Sequence, residues 1–377
     1  MKREEYPLFF DMETSVQISD GLTQTSADGA NLVFDSKYGV MFCAYMPGPQ
    51  GHYGESRGRI SLTWFPASQP TNSRTVDIAT GRSEYVPNVL SLGDGRVRVL
   101  YEIHSQEEGD HRTCYKDFDY RTGELSEEKT VFLKREDGSL CELNTSEQFA
   151  YLERQGYFCH NYCRTEQVNI GGCTLFRGED GFVYGSITSV DAEPILYRSA
   201  DDLATIEFFA VCPYPAQYEM DYKFQNGKIY AILRTAAEED SVGTTHSEDG
   251  GKTWSPLRFY KESIQCRPRL ICYNGHILTA YNYFNSDTAH RPEIQQGRSG
   301  VRICYGEADD PNQNLRLADL HTKYGIVNLC VIDILNDLYL AYSSSVLALE
   351  YQNGNPKVRG KDAIRYIKLG DLIPAES

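Results

Sequence analysis

Residues His246–Pro256 read HSEDGGKTWSP, and within them Ser247, Asp249, Gly251, Thr253 and Trp254 follow the order S-x-D-x-G-x-T-W. A serine and an aspartate two positions apart hydrogen-bond back onto the chain. A glycine permits a backbone conformation that is costly for other residues, and a tryptophan supplies a wide apolar face to set between strands. The stretch is therefore a tight structural turn that ends one strand and leads to the next.

Working outward from that turn, one pattern of apolar run, Gly/Asn/Asp turn and second apolar run occurs six times. The copies are VFDSKYGVMFCAY from Val33, VLSLGDGRVRVLYE from Val89, LFRGEDGFVYGSI from Leu175, YKFQNGKIYAIL from Tyr222, LICYNGHILTAY from Leu270 and VIDILNDLYLAY from Val331. Each reads as a β-hairpin whose turn needs positive φ. A third strand follows most of them, as in GRISLTWF, PILYRSA, VGTTHSED and VRICYGEA, and a polar turn then leads to a fourth. Four short antiparallel strands at intervals of roughly fifty residues mark propeller blades and not a sandwich. The expected fold is all-β, one six-bladed β-propeller domain over residues 1–377. In the long interval between the second and third copies, Asn144 and Glu147 stand at capping-box spacing with Gly156 as a stop. A short helical insertion is expected over 144–156, as a surface decoration in preference to a lid.

Composition narrows the function. The 27 Tyr and 31 Gly suit strands and turns. A net charge of -16 without a long Lys/Arg run argues against nucleic acid and anionic lipid as partners. Nothing approaches a membrane span, and the apolar run in MKREEYPLFFDMETS is too short for a signal core, so the expected location is cytoplasmic. The 11 Cys are scattered and read as reduced, buried thiols and not as a disulfide framework. Cys159, His160 and Cys163 form the closest metal-like group, but their spacing lacks a second pair, and neither a metal nor another cofactor is expected.

In a four-stranded blade, the turn between strands three and four lies on the same face as the hairpin turn between strands one and two. The opposite face is built by the segments that lead into each first strand and by the loops between strands two and three. Functional residues are expected there. In chain order these segments carry Asp28 and Asn31, Glu55 and Arg57, Tyr85, Glu102 and His104, and then His160, Tyr162 and Arg164. Further along come Glu219 and Asp221, Arg234, Arg267 and Arg269, Arg298, Tyr324 and Asn328. Carboxylates, guanidinium groups and phenols converging on one face suit a carbohydrate partner, an acidic or otherwise modified sugar of a small glycan.

The SEDGGKTW turn has a second copy in RSADDLATIEFF, with Ser199, Asp201 and Thr205 in register. On these turns the chain resembles the Asp-box propellers, of which the sialidases are the best-known enzymes, and as a fold the resemblance covers nearly the whole chain. It implies three arginines on a sialate carboxylate, an Asp acid/base, a Tyr nucleophile and a Glu that assists the Tyr. In YEMDYKFQNGKIYAILR, Glu219 falls at the assisting Glu and Arg234 at the second Arg. In GRSGVRICY, Arg298 falls at the third Arg, and in GESRGRISL, Glu55 falls at the acid/base. Where the first Arg belongs, SADGANLVF has Asp28, and the sixth blade offers Asn328 at the nucleophile position with Tyr324 upstream.

The leading expectation is a sialidase-like glycoside hydrolase. Glu55 would donate the proton, with Asp28 nearby to keep it protonated, and Glu219 would be the second carboxylate. Arg234 and Arg298 would hold the anionic group. The alternatives are a lyase acting on uronic acids, with His160, Tyr162 and Arg164 as its base and carboxylate neutraliser, and a propeller that binds sugar without catalysis.

Overall fold

The computed structural model describes residues 7–372, except 20–25, 49–58, 81–82, 105–110, 158–169, 218, 238–239, 285–297, 299, 307–309, 322–324, 346, 353–354 and 361–362. The fold is a six-bladed β-propeller of four-stranded antiparallel blades, with one α-helix among the described residues.

Local turn chemistry sets the hairpins. Asn226 and Gly227 (φ +52° and +75°), Asn274 and Gly275 (+48° and +74°) and Leu335 and Asn336 (+51° and +69°) each place two successive residues in the left-handed region. Such turns carry the twist that adjacent strands need. At Leu335 the backbone demand leaves a leucine 85% exposed.

Blade one comprises Ser26–Asp35, Val40–Gly48, Arg59–Pro66 and Arg74–Thr80, and blade two Ser83–Gly93, Arg96–His104 and His111–Asp119, edged by Glu124–Leu125 and Lys129–Thr130. Blade three comprises Phe176–Arg177, Val183–Ile187, Ile195–Ser199 and Thr205–Val211, with Phe132–Lys134 and Leu140–Glu142 outside it. Blade four comprises Met220–Gln225, Lys228–Arg234, Val242–Ser247 and Arg258–Phe259, and blade five Arg269–Tyr273, His276–Tyr283, Gly300–Tyr305 and Leu315–His321. Blade six takes Gly325–Ile334, Asp337–Ser345 and Ala363–Gly370 from its own stretch of chain and its fourth strand, Val16–Gln17, from the N-terminal segment. Just before that strand, Leu8–Asp11 runs parallel to the outer strand of blade five. Ser15, between the two, donates to Met12 O at 2.5 Å and accepts from Arg365 Nε at 2.7 Å. One segment thus straps blade five to blade six, a link that no sequence pattern announced.

Apolar faces pack sheet on sheet. Between blades two and three, Leu100, Tyr115, Val131, Val183, Tyr197 and Ile206 form one such layer. Each fully buried side chain of this size contributes about 1.5–3 kcal/mol. Nine cysteines lie among the described residues, and seven of them are buried. Among the described residues, no helix is long and apolar enough to cross a membrane.

The Ser247–Trp254 turn joins the third and fourth strands of blade four. Asp249 Oδ1 accepts from the Lys252 and Thr253 backbone N–H groups at 3.0 and 2.9 Å, and Oδ2 from the Thr253 hydroxyl at 2.6 Å. The Gly251 N–H donates to Ser247 Oγ at 2.8 Å, and Trp254 Nε1 donates to Gly251 O at 3.1 Å. The Thr253 hydroxyl, followed by its backbone N–H, brings the Asp249 carboxyl down to about 2. Blade three repeats the network: Thr205 donates through its backbone N–H and hydroxyl to Asp201 at 2.8 and 2.9 Å, and the Leu203 N–H donates to Ser199 Oγ at 2.8 Å. Leu203, at the glycine position, takes φ +72° and is fully buried. Asp249→Ala is expected to lower the melting temperature while leaving the specific activity of the folded fraction intact, because the turn lies on the face away from the site. Loss of ligand binding in a variant that melts normally would contradict this placement.

The helix forms over Thr145–Arg154 with Asn144 as N-cap, whose side chain accepts from the Glu147 N–H at 3.0 Å. The capping box is only half made, because the Glu147 carboxylate turns to Arg135 instead. Gly156 (φ +86°) ends the helix, with the Tyr157 N–H reaching back to Leu152 O at 3.0 Å. The helix is more than a surface decoration, since Phe149, Tyr151 and Leu152 pack on Ala192, Ile195 and Val211. Gln148, fully buried, donates to Ser189 Oγ at 3.1 Å, in the loop between the second and third strands of blade three. The insertion therefore buttresses a loop of the face expected to carry the site.

Candidate functional site

The innermost strands place the polar residues of the axis. Glu219 immediately precedes the first strand of blade four, and Arg234 ends the second; the Arg234 N–H donates to Glu219 O at 3.0 Å, so the two are cross-strand neighbours. Arg267 stands two residues before the first strand of blade five, and Arg298 two residues before its third. Arg234 Nη1 lies 2.9 Å from Glu219 Oε2, and Arg267 Nε lies 3.4 Å from Glu219 Oε1. Gln265 Oε1 accepts from Arg234 Nη2 at 3.5 Å.

The site is buried: Glu219 is 6% exposed, Arg267 2% and Arg298 7%. Burial pulls the Glu219 carboxyl upward, but the charges of Arg234, Arg267 and Arg298 outweigh it and hold the group below its ordinary range. Glu219 is therefore an anion at neutral pH and an acceptor of hydrogen bonds. It can polarise a phenol or orient water, while the guanidinium groups offer charged donors to an anionic ligand.

Directly beneath lies a belt of polar side chains that ties blades together. Arg269, fully buried, donates to Leu329 O, Gly172 O and Asn31 Oδ1 at 3.0, 2.8 and 3.0 Å, joining blade five to blades six, three and one. Asn31 Nδ2 reaches Pro87 O at 2.8 Å, and Asn88 Nδ2 reaches Ile170 O and Cys173 O at 3.0 and 2.9 Å. Glu102 Oε1 accepts from the Ile170 N–H at 2.7 Å, and burial, opposed by that bond, pushes its carboxyl well above the usual range.

Several sequence expectations change here. Asp221, expected to bind substrate, is fully buried. Its Oδ1 accepts from the Thr174 N–H and Lys223 Nζ at 3.1 and 3.0 Å, and its Oδ2 from the Leu270 N–H at 3.0 Å. Backbone donors from neighbouring blades occupy the carboxylate, which makes it a structural tie. Asp28, Tyr85 and Asn328 were placed at or before the first strands of their blades but lie inside Ser26–Asp35, Ser83–Gly93 and Gly325–Ile334. A register shift interrupts each strand, between Asp28 and Asn31, Tyr85 and Asn88, and Val327 and Cys330. These irregularities let the strands extend past the axial belt toward the site face. His104, placed in the loop between the second and third strands of blade two, is the last residue of that second strand. Glu55, Arg57, His160, Tyr162, Arg164 and Tyr324 lie outside the described residues, as do Cys159 and Cys163.

The sequence reading named Arg267 and Arg269 but missed Gln265, which precedes them in the same run. Their spacing of two in QCRPR is the period of an extended chain, which puts alternate residues on one side. A separate cavity of about 300 Å³ between blades four and five contains a Ser255 Oγ to His246 Nδ1 contact at 3.1 Å. Ser255 Oγ also accepts from the His246 N–H at 3.0 Å, so the contact belongs to the turn.

No family model matches the chain, and no curated protein matches it. Solved structures do. A protein of unknown function from Dyadobacter fermentans is 14% identical with a TM-score of 0.60, over 93% of this chain and 97% of that one. The sialidase of Trypanosoma rangeli, solved also in complex with sialic acid, is 11% identical with a TM-score of 0.59. That match covers 96% of this chain but 58% of the longer Trypanosoma chain. A mutant of NanB sialidase from Streptococcus pneumoniae is 12% identical with a TM-score of 0.57, over 94% of this chain and 70% of that one. At such identities the likeness is one of fold: the chain is similar to sialidase propellers in architecture.

Proposed function

We propose that the protein is a glycoside hydrolase of sialidase-like fold that acts on a sugar bearing an anionic group. The observation that carries this reading is the ionised Glu219 set among Arg234, Arg267 and Arg298 in a buried site. In this reading Glu219 accepts a proton from a phenol or a water, Arg234 and Arg298 hold the anionic group, and Glu55 supplies the proton to the leaving oxygen. The fold shared with sialidases supports a sugar as partner. The test is turnover of a panel of aryl glycosides and acidic oligosaccharides, followed by reducing-end release and ultraviolet absorbance. New reducing ends without absorbance support hydrolysis, a rising unsaturated-uronate absorbance replaces it with elimination, and binding without either product makes the protein a sugar-binding propeller.

If Arg234 and Arg298 grip one anionic group, Arg234→Ala and Arg298→Ala each weaken capture of an acidic substrate, and the double variant loses much less than the sum. Steady-state kinetics on the best acidic glycoside checks this. Undiminished capture of the acidic glycoside in both variants would remove the clamp.

A further inference from the structure

The cavity of about 300 Å³ between blades four and five is walled in part by the two ends of the turn that opens this chain's reading, His246 on one side and Ser255 on the other. It therefore belongs to the face away from Glu219. Its origin is a short outer strand: Arg258–Phe259 pairs only with Thr244 and Gly243, against seven-residue fourth strands in blades one and five. Pro256, just ahead of it, has no N–H with which to extend the ladder. Along the third strand of blade four, Val242 packs with Leu270 and Ile277 of blade five. Thr244 and His246, two and four residues further on, share that side of the strand and line the cavity instead.

The polar groups there are held in place without being used up. His246 Nδ1 meets Ser255 Oγ at 3.1 Å, so in either tautomer Nε2 is left for another partner. Among the described residues neither His246 Nε2 nor the Thr244 hydroxyl makes a hydrogen bond. Tyr260 OH meets Thr279 Oγ1 at 2.9 Å and accepts from Asn314 Nδ2 at 3.4 Å. Leu270 and Ile277 supply an aliphatic wall from blade five. Arg258, the one guanidinium among the described lining residues, stands exposed at the rim. Hydroxyl, imidazole and amide groups that donate and accept, facing an aliphatic wall, match a sugar ring, which carries hydroxyls around an apolar C–H face. The volume is at the small end of ligand sites and suits one ring, not a chain.

We propose that this cavity is a second, non-catalytic binding site for a neutral sugar ring. The proposal is independent of the reading of Glu219 and its arginines, which lie on the other face.

The test is calorimetric binding by the full chain, with melting temperatures measured in parallel. D-glucose, D-galactose, D-mannose and N-acetyl-D-glucosamine serve as free rings, lactose and maltose as chains ending in such rings, and inorganic sulfate as a bare anion. The wild type is expected to bind at least one free ring with one-to-one stoichiometry and to melt higher in its presence. Binding of a disaccharide as well supports the end of a glycan as the source of the ring, and its exclusion supports a free sugar. Thr244→Val, which keeps the strand's shape and removes the hydroxyl, is expected to weaken binding about fivefold. Thr244→Phe, which fills the cavity, is expected to abolish it. Undiminished binding in Thr244→Phe puts the sugar elsewhere and overturns the proposal. Should that variant fail to fold, Thr244→Val decides, and wild-type affinity there overturns it too. Failure of the wild type to bind any ring at high millimolar concentration overturns it outright. Sulfate bound more tightly than every ring, and lost in Arg258→Gln, would make this an anion site and overturn it as well. Turnover of acidic glycosides stands or falls separately from all of these results.

Discussion

Glu219→Gln is expected to cut turnover of any acidic glycoside the wild type cleaves by a factor of about a hundred or more, and to lower stability by about 3 kcal/mol or more. The substitution keeps the shape and removes a carboxylate that touches both Arg234 and Arg267. Three guanidinium groups would then face one another with little water to screen them. Deleting the anion of such a cluster should therefore hurt. The sign of the pH dependence follows from the depressed carboxyl. Because the folded value lies below the unfolded value of about 4.3, the contribution is complete above that pH and is lost as pH falls through the folded value. Melting temperatures from pH 7 to pH 3 should drop for the wild type at the acid end and stay flatter for the variant. A variant that melts like wild type at pH 7 would show that the carboxylate does not hold the cluster.

Arg269→Met should be more damaging still to the fold. Its guanidinium spans blade five to blades six, three and one through three bonds of 2.8–3.0 Å, and it is wholly buried. A thioether in its place leaves two backbone carbonyls and the Asn31 amide without their donor. Each buried acceptor left unsatisfied costs about 1–3 kcal/mol, so the sum approaches the whole stability of an ordinary protein. The expected result is little soluble protein, or a urea midpoint far below wild type. A native midpoint for Arg269→Met would mean that the axial belt does not hold the blades.

The blades were legible because hairpin chemistry is local: Asn226-Gly227 and Asn274-Gly275 announce their turns whatever surrounds them. The turn beginning at Ser199 has Leu203 where the Ser247 turn has glycine. It makes the same hydrogen bonds all the same, since burial of Leu203 compensates for its unfavourable backbone. Glu219 and Arg234 could be found through their places on neighbouring strands. Asp221 could not be judged from sequence, because a carboxylate that ties blades together and one that meets a ligand are the same letter. Only the positions of the Thr174 and Leu270 amides distinguish them. The short strand Val16–Gln17 carries no periodic signal, and its partners Tyr366 and Arg365 lie at the far end of the chain.

That pairing has a consequence for the order of events during synthesis. Val16 leaves the ribosome early, and its partner Tyr366 is not yet made. At translation rates of about 5–20 residues per second the interval is roughly twenty to seventy seconds. Throughout it, blades one to five can fold behind a first segment that waits, while the nascent molecule stays an open horseshoe with an unpaired sheet edge at its gap. Such an edge is a template for a neighbouring nascent copy. Crowded polysomes, and not the finished ring, are where this protein is most exposed to mispairing.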